Sequence, residues 1–323
     1  MNLSKLRIFF IVLLIFINVL FVKMYFDSVR DKTTISEQTI RDTVSVLNKK
    51  GVEVDLSVID RNKPKNNIIG YKSVMFTVDN SNSNKADFVN SASLNSYYSK
   101  KGFKSKNLQF DCFAIPDGNA ISVNYDGQRL AYATINGACE FKYTFKEAKN
   151  AFDAGYINNT EFEGNSISNK HKKLIEEFLS GFSSKSVSKH DFVVAASKNE
   201  EYGKVYLIRQ LYSKLEIDGC LMVVCIEDDT VVSAYGNWYF NGFEEKYSET
   251  QIDAVNILFN DKVLSSKKIL SQKQIYVSFV VDGGNILFVP AWSIDLLTEQ
   301  GKTNVVYDAV TGKLYKYNSD KVD

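Results

Sequence analysis

The stretch LQFDCFAIPDGNAISVNYDGQRLAYATINGACEFKYTF, Leu108 to Phe145, decides the fold class. Apolar and polar residues alternate along it, the period of a half-buried strand. The alternation is broken at Asp117-Gly118, Asp126-Gly127 and Asn136-Gly137. Such dipeptides adopt the positive φ that a tight hairpin turn demands. The spacing predicts a meander of four antiparallel strands: Gln109 to Ile115, Ala120 to Tyr125, Arg129 to Ile135 and Glu140 to Phe145.

A helix followed by strands recurs on both sides of this stretch. Upstream, Ser36 reads as an N-cap, Ile40, Val44 and Leu47 recur at helical spacing, and Gly51 closes the segment. Val52 to Val58 reads as extended, Ser73 to Val78 as a strand, Asn80 to Lys85 as a loop, and Leu94 to Tyr98 as a short helix ended near Gly102. Downstream, Lys146 to Tyr156 looks helical and Ile157 to Asn165 reads as a linker. Ser168 then caps a helix carrying Leu174, Ile175, Phe178 and Leu179, ended at Gly181. Strands follow at Lys204 to Leu215, Cys220 to Ile226 and Val231 to Tyr239, with turns at Asp218-Gly219 and Asp228-Asp229. A third round begins with a helix capped by Ser248 and carrying Ile252, Val255, Ile257, Leu258 and Phe259. Ile275 to Val281, Ile286 to Leu296, Asn304 to Asp308 and Leu314 to Tyr317 are its strands. Pro290 has no N–H to donate, so it belongs on an edge or at a bulge. Each helix has one apolar stripe and each sheet one apolar face, so a helix laid on each sheet is the expected packing.

The amino terminus is of another kind. Leu6 to Phe26 is almost wholly apolar, and a bilayer core about 30 Å thick takes roughly 20 apolar helical residues. Lys5 and Arg7 precede the run, and no small-x-small cleavage site ends it. The reading is an uncleaved signal-anchor in the lipid bilayer. The amino terminus is then cytoplasmic, and the rest of this single-pass chain is extracytoplasmic. Asn18 is the polar side chain well inside the run. Its amide either pairs with a neighbouring helix or is tolerated near the helix end.

The expected architecture is therefore α+β: one transmembrane helix, then extracytoplasmic antiparallel meanders each packed with a helix. Its segments are a tail at 1–5, the anchor at 6–26, a juxtamembrane linker at 27–35, a first domain at 36–156 and a second at 157–323.

Composition excludes several functions. Net charge is +1 over 323 residues, so no basic field points to nucleic acid. The 18 Tyr and 22 Phe against 3 Pro favour sheet. Cys112, Cys139, Cys220 and Cys225 form no Cys-x-x-Cys pair, which argues against a zinc or redox site. Cys220 and Cys225 lie on opposite faces of one strand. Cys112 and Cys139 either bridge neighbouring strands or stay free, and the free-thiol reading is favoured.

His171 lies in Lys170-His171-Lys172-Lys173 and His190 beside Lys189 and Asp191, both read as surface. Two isolated histidines do not make a triad or a metal cluster. The acidic pairs Glu176-Glu177, Glu200-Glu201, Asp228-Asp229 and Glu244-Glu245 have no identifiable partner. Trp238 and Trp292 read as core. No catalytic residue, cofactor, metal or small-molecule substrate is expected.

Three stretches together resemble the YycI family, partner of YycH, membrane regulators of an essential two-component system. They are the anchor, Tyr206 to Trp238 with its Arg209-Gln210-Leu211-Tyr212 and Gly236-Asn237-Trp238, and the end of the chain. There Val289-Pro290-Ala291-Trp292-Ser293-Ile294 precedes Val306-Tyr307-Asp308-Ala309-Val310-Thr311-Gly312. This ending is similar to that of YycI and of PepSY-like domains. The resemblance implies a non-catalytic membrane protein that associates with a sensor histidine kinase and a YycH-like protein, largely through transmembrane helices, and tunes cell-wall metabolism. Phe9, Phe16 and Asn18 are then the partner-binding candidates. Pro290, Ala291, Trp292, Asp308 and Gly312 are structural motif residues. A PepSY-type inhibitor or chaperone of an extracellular peptidase is the alternative, and a wall-polymer hydrolase a third reading.

Overall fold

In the computed structural model the described residues are 14–25, 34–64, 67–72, 90–115, 118–136, 139–145, 164–182, 191–200, 203–240, 243–281 and 285–319. Helix α1 covers residues 14–25. Helix α2, Glu37–Lys49, starts where the Ser36 side chain accepts from the Thr39 N–H, and buries Ile40, Thr43 and Leu47. Strand β1 is Ile68–Lys72 and helix α3 is Ser91–Ser99, capped by Asn90. The meander follows as β2 Leu108–Ile115, β3 Gly118–Tyr125, β4 Gln128–Asn136 and β5 Glu140–Phe145. Helix α4 is Asn169–Gly181, capped by Ser168. Next come β6 Asp191–Glu200, β7 Gly203–Tyr212, β8 Leu215–Glu227, β9 Thr230–Asn237 and β10 Phe243–Tyr247. Two four-residue helices, α5 Ala254–Ile257 and α6 Asp261–Leu264, precede β11 Lys268–Val281, β12 Asn285–Thr298, β13 Gly301–Asp308 and β14 Leu314–Ser319.

The class is α+β with a mostly antiparallel sheet and few helices; among the named strand pairs only β8 with β11 is parallel. The meander forms as its spacing predicts. Asp126 and Gly127 have φ of 50° and 76°, the double positive φ of a type I′ hairpin turn.

Two compact units interleave along the chain. One comprises Met1–Asn66, Ser248–Gln274 and Pro290–Asp323; the other comprises Asn67–Tyr247 and Ile275–Val289. In the first, β12, β13 and β14 pair antiparallel, and α2 and α5 cover a core that includes Ile40, Leu47, Trp292, Ile294 and Val305. In the second, β5 pairs with β9 from Glu140↔Asn237 to Thr144↔Ser233. That pairing joins the two meanders into the continuous order β2-β3-β4-β5-β9-β8-β7-β6. The expected boundary at residue 157 therefore falls inside this unit. The backbone groups along β5 find their partners in a strand almost a hundred residues on, and no local pattern announces such pairing.

Helices α3 and α4 pack together over this sheet. Phe178 is fully buried and meets Tyr143, Phe182 and Tyr97 at ring separations of 4.7, 5.1 and 5.8 Å. A Cβ on Gly181 would lie 2.4 Å from a Leu94 methyl, so the close approach of the two helices needs glycine there.

Three local expectations are corrected. Asp218-Gly219 is not a turn: β8 runs through it, and Gly219 with φ of 75° sits in a bulge between the Leu211↔Glu216 and Arg209↔Leu221 pairs. The hairpin turn is Ser213-Lys214, both at positive φ, a conformation neither residue advertises. The helix expected after Ser248 starts only at Ala254. Ile252 N–H donates to Ala309 O, and Ile252 O accepts from the Trp292 ring N–H, each at 2.7 Å. These tertiary bonds hold the segment out of the helix. Strands β6 and β10 were not among the expected strands. Ser73 to Val78, Asn80 to Lys85, Lys146 to Tyr156 and His190 lie outside the described residues.

Candidate functional site

The amino-terminal candidates divide. Phe9 lies outside the described residues. Phe16 and Asn18 are both on α1 and both exposed, but residues two apart do not share a helix face. Every residue of 14–25 except Asn18 and Lys23 is an exposed large apolar side chain, from Leu14 at 63% to Tyr25 at 67%. Among the described residues no helix is long and apolar enough to cross a membrane. The twelve of α1 rise about 18 Å, and residues 6–13 and 26 of the apolar run are not described.

The five carboxy-terminal motif residues, by contrast, are brought together into one clamp. Ala291 stands opposite Asp308, and Trp292 opposite Tyr307, in the β12–β13 ladder. Pro290 lies between the part of β12 paired with β1, Asn285 to Phe288, and the part paired with β13, which begins at Ala291. Its ring nitrogen has no hydrogen to donate, and its carbonyl accepts from Ala309 N–H at 2.9 Å. The Asp308 carboxylate accepts from the N–H groups of Val310 at 2.7 Å and Thr311 at 3.1 Å, an Asx turn. Gly312 closes that turn with φ of 70°, and a Cβ there would lie 2.8 Å from the Ile252 Cδ1. Trp292 is wholly buried. The Trp-to-Ile252 and Ile252-to-Ala309 bonds complete the clamp. These hydrogen bonds tie the residues of the clamp to one another.

A polar cluster in the second unit has no counterpart among the sequence candidates. His171, in the first turn of α4, places Nδ1 2.6 Å from the Tyr206 hydroxyl and Nε2 3.8 Å from Asp229 Oδ1. Lys170 pairs with the other Asp229 oxygen at 2.5 Å. Burial pushes Tyr206 up to about 12, so its phenol stays protonated. A hydrogen bond from Lys170 is the main cause that lowers Asp229, which stays ionised. The sequence signal was there in part: a histidine at the third helical position after a Ser cap. Its partners come from β7 and the β8–β9 turn, which spacing within α4 does not reveal.

The remaining chemistry is sparse. The four cysteines are free, and burial pushes the Cys225 thiol to about 12 and Cys220 higher still, which suits inert core thiols. Among the described residues no three His, Cys, Asp or Glu side chains group to hold a metal. A shallow groove of about 540 Å³ beside α2 is lined by Arg41, Val44, Ser45, Asn48, Lys49 and Leu56, with no carboxylate or imidazole in its wall.

No family model matches this chain, and no curated protein matches it in sequence. Among solved structures, an uncharacterized protein from Eubacterium rectale ATCC 33656 is similar at 8% identity and a TM-score of 0.44, over 82% of this chain and 89% of its own. The Bacillus megaterium YpeB C-terminal domain is similar at 12% identity and a TM-score of 0.34, over 70% of this chain and 94% of its own. At these scores neither likeness fixes fold or function.

Proposed function

We propose that the chain is a membrane-anchored, non-catalytic regulator of a sensor histidine kinase, YycI-like, acting through its anchor helix and its extracytoplasmic units. The observation that supports this most is α1, whose ten exposed apolar side chains go all round the helix. A helix apolar on every face is stable in lipid or in a protein core, and among the described residues none of these ten belongs to a buried cluster. Lipid, with a partner helix at Asn18, is the medium that suits it. An amide in hydrocarbon gains roughly 1 kcal/mol from an interhelical hydrogen bond, enough to bias pairing without fixing it. The carboxy-terminal clamp fits a structural rather than a catalytic use of the motif.

A photo-crosslinker at Phe16 or Asn18 in membranes containing a co-expressed kinase tests this. The expected product joins the two proteins, and a kinase-free pattern at both positions would remove the reading. Capture of a secreted peptidase by the outer units instead would decide for the PepSY-type inhibitor or chaperone.

A further inference from the structure

We propose that His171 is a pH-sensitive latch: neutral, it pins the first turn of α4 to β7 through Tyr206, and protonated in the mildly acidic range it lets that contact open. The inference stands apart from the membrane reading, since every group in it belongs to the second unit. The chain has two histidines, and histidine is the side chain whose ordinary pKa falls between pH 5 and 8.

The geometry sets the preferred protonation state. The hydroxyl of the buried Tyr206 lies 2.6 Å from Nδ1, and the Asp229 carboxylate on the other side of the ring favours a hydrogen on Nε2, which leaves Nδ1 to accept from the phenol. Nδ1 can accept only while it carries no proton, so the neutral imidazole has its hydrogen on Nε2, towards Asp229. The rings meet edge to face at 5.7 Å. A protonated imidazole has N–H on both nitrogens, so the phenol would have to turn away from its donor role.

The surrounding charges do not repay that loss. The β8–β9 turn supplies Asp229, with Asp228 beside it, but Asp229 already serves Lys170 of α4. From β7, Lys204 stands over the Tyr206 ring at 5.6 Å. Lys101, just past α3, shares the field of Asp229 and Lys170, while Lys100 pairs with Glu177 of α4. Burial first, then Lys204 and Lys170, hold the imidazole below the ordinary histidine value against the pull of Asp229.

The sign follows. With the closed-state value below that of the open state, the latch is complete above about pH 6.5. It weakens as pH falls towards the closed-state value. Over that window the opening constant grows about tenfold per pH unit.

Hydrogen–deuterium exchange of the full chain at pH 7.5 and 5.5, corrected for intrinsic rates, tests the latch. The expected result is several-fold loss of protection at pH 5.5 in residues 171–174, with α2 unchanged, and no such response in His171→Gln. Equal protection at both pH values, or the same response in His171→Gln, would overturn it. Should His171→Gln fail to fold, imidazole titration by NMR decides. Tyr206→Phe raises the midpoint, because the neutral form loses its donor, and Asp229→Asn lowers it. A midpoint that moves in neither variant also overturns the proposal.

Discussion

Helices α2 and α4 are each thirteen residues long and each begins at a serine whose side chain caps the N–H three residues on. They differ in how they meet their own dipoles. In α2, Glu37 stands in the first turn and Lys49 in the last, where the partial charges of the helix ends favour them. In α4 the first turn carries Lys170, His171 and Lys172 and no acid, which the dipole opposes. The compensation is tertiary: Asp229 reaches Lys170 from the β8–β9 turn, and His171 stays neutral against Tyr206. Helix α2 is thus written in its own thirteen residues, whereas α4 is completed by the sheet beneath it. Burial differs in the same sense, for α2 buries Ile40 and Leu47, whereas α4 buries Phe178 in a cluster of rings beside Ile175 and Leu179.

The largest expected effect tests that last contrast. Phe178→Ala removes a ring that touches four other aromatic rings and should cost about 3–5 kcal/mol. Leu47→Ala in α2 should cost roughly 2–5 kcal/mol, less than Phe178→Ala because a smaller side chain is removed. Urea unfolding midpoints of the two variants give the order. A smaller loss for Phe178→Ala would mean that α4 does not depend on its sheet more than α2 does.

What could be read in advance divides along the same line. The four strands of the first meander, both serine caps and the Asp126-Gly127 turn are local, and each was legible. So was the core role of Trp238 and Trp292. The missed features are those a distant segment decides. Ile252 is held extended by Ala309 and Trp292, β5 is paired by β9, and His171 is engaged by Tyr206. Gly219 misled in the other direction, because positive φ serves a bulge as readily as a turn. The structure brings the motif residues Pro290, Ala291, Trp292, Asp308 and Gly312 together through a turn, a clamp and a buried ring.

The clamp itself predicts a middle-sized effect in the first unit. Gly312→Ala imposes positive φ on a β-carbon and a 2.8 Å approach to Ile252, so a loss of about 1 kcal/mol or more is expected. Chemical denaturation measures it, and a neutral result would mean that Ile252 gives way freely. Removing the caps comes next. Ser36→Ala and Ser168→Ala should each lose about 0.5–2 kcal/mol, and the loss at Ser168 should be the larger, because no acid in the first turn of α4 supports the same N–H groups. Equal losses would show that Asp229 replaces the missing acid in full.

The smallest effect is the sharpest test, because it should change sign. Glu37 and Asn169 occupy the same first position of their helices, each four residues before a cation, Arg41 and Lys173. Glu37 uses this: its carboxylate binds the Arg41 guanidinium at 2.5 Å. Asn169 cannot. Exchanging the two residues between helices should therefore weaken α2 and strengthen α4. Glu37→Asn gives up the dipole interaction, about 0.3–1 kcal/mol, and an i,i+4 pair of about 0.2–0.5 kcal/mol. Asn169→Glu gains the same two terms, and more at low salt, where exposed charges are least screened. Thermal melts resolve this, since 1 kcal/mol moves the midpoint by about 2–4 °C in a unit of this size. Shifts of one sign in both variants would mean that Asp229 already offsets the positive first turn of α4 in full, and the contrast between the helices would fail at its origin.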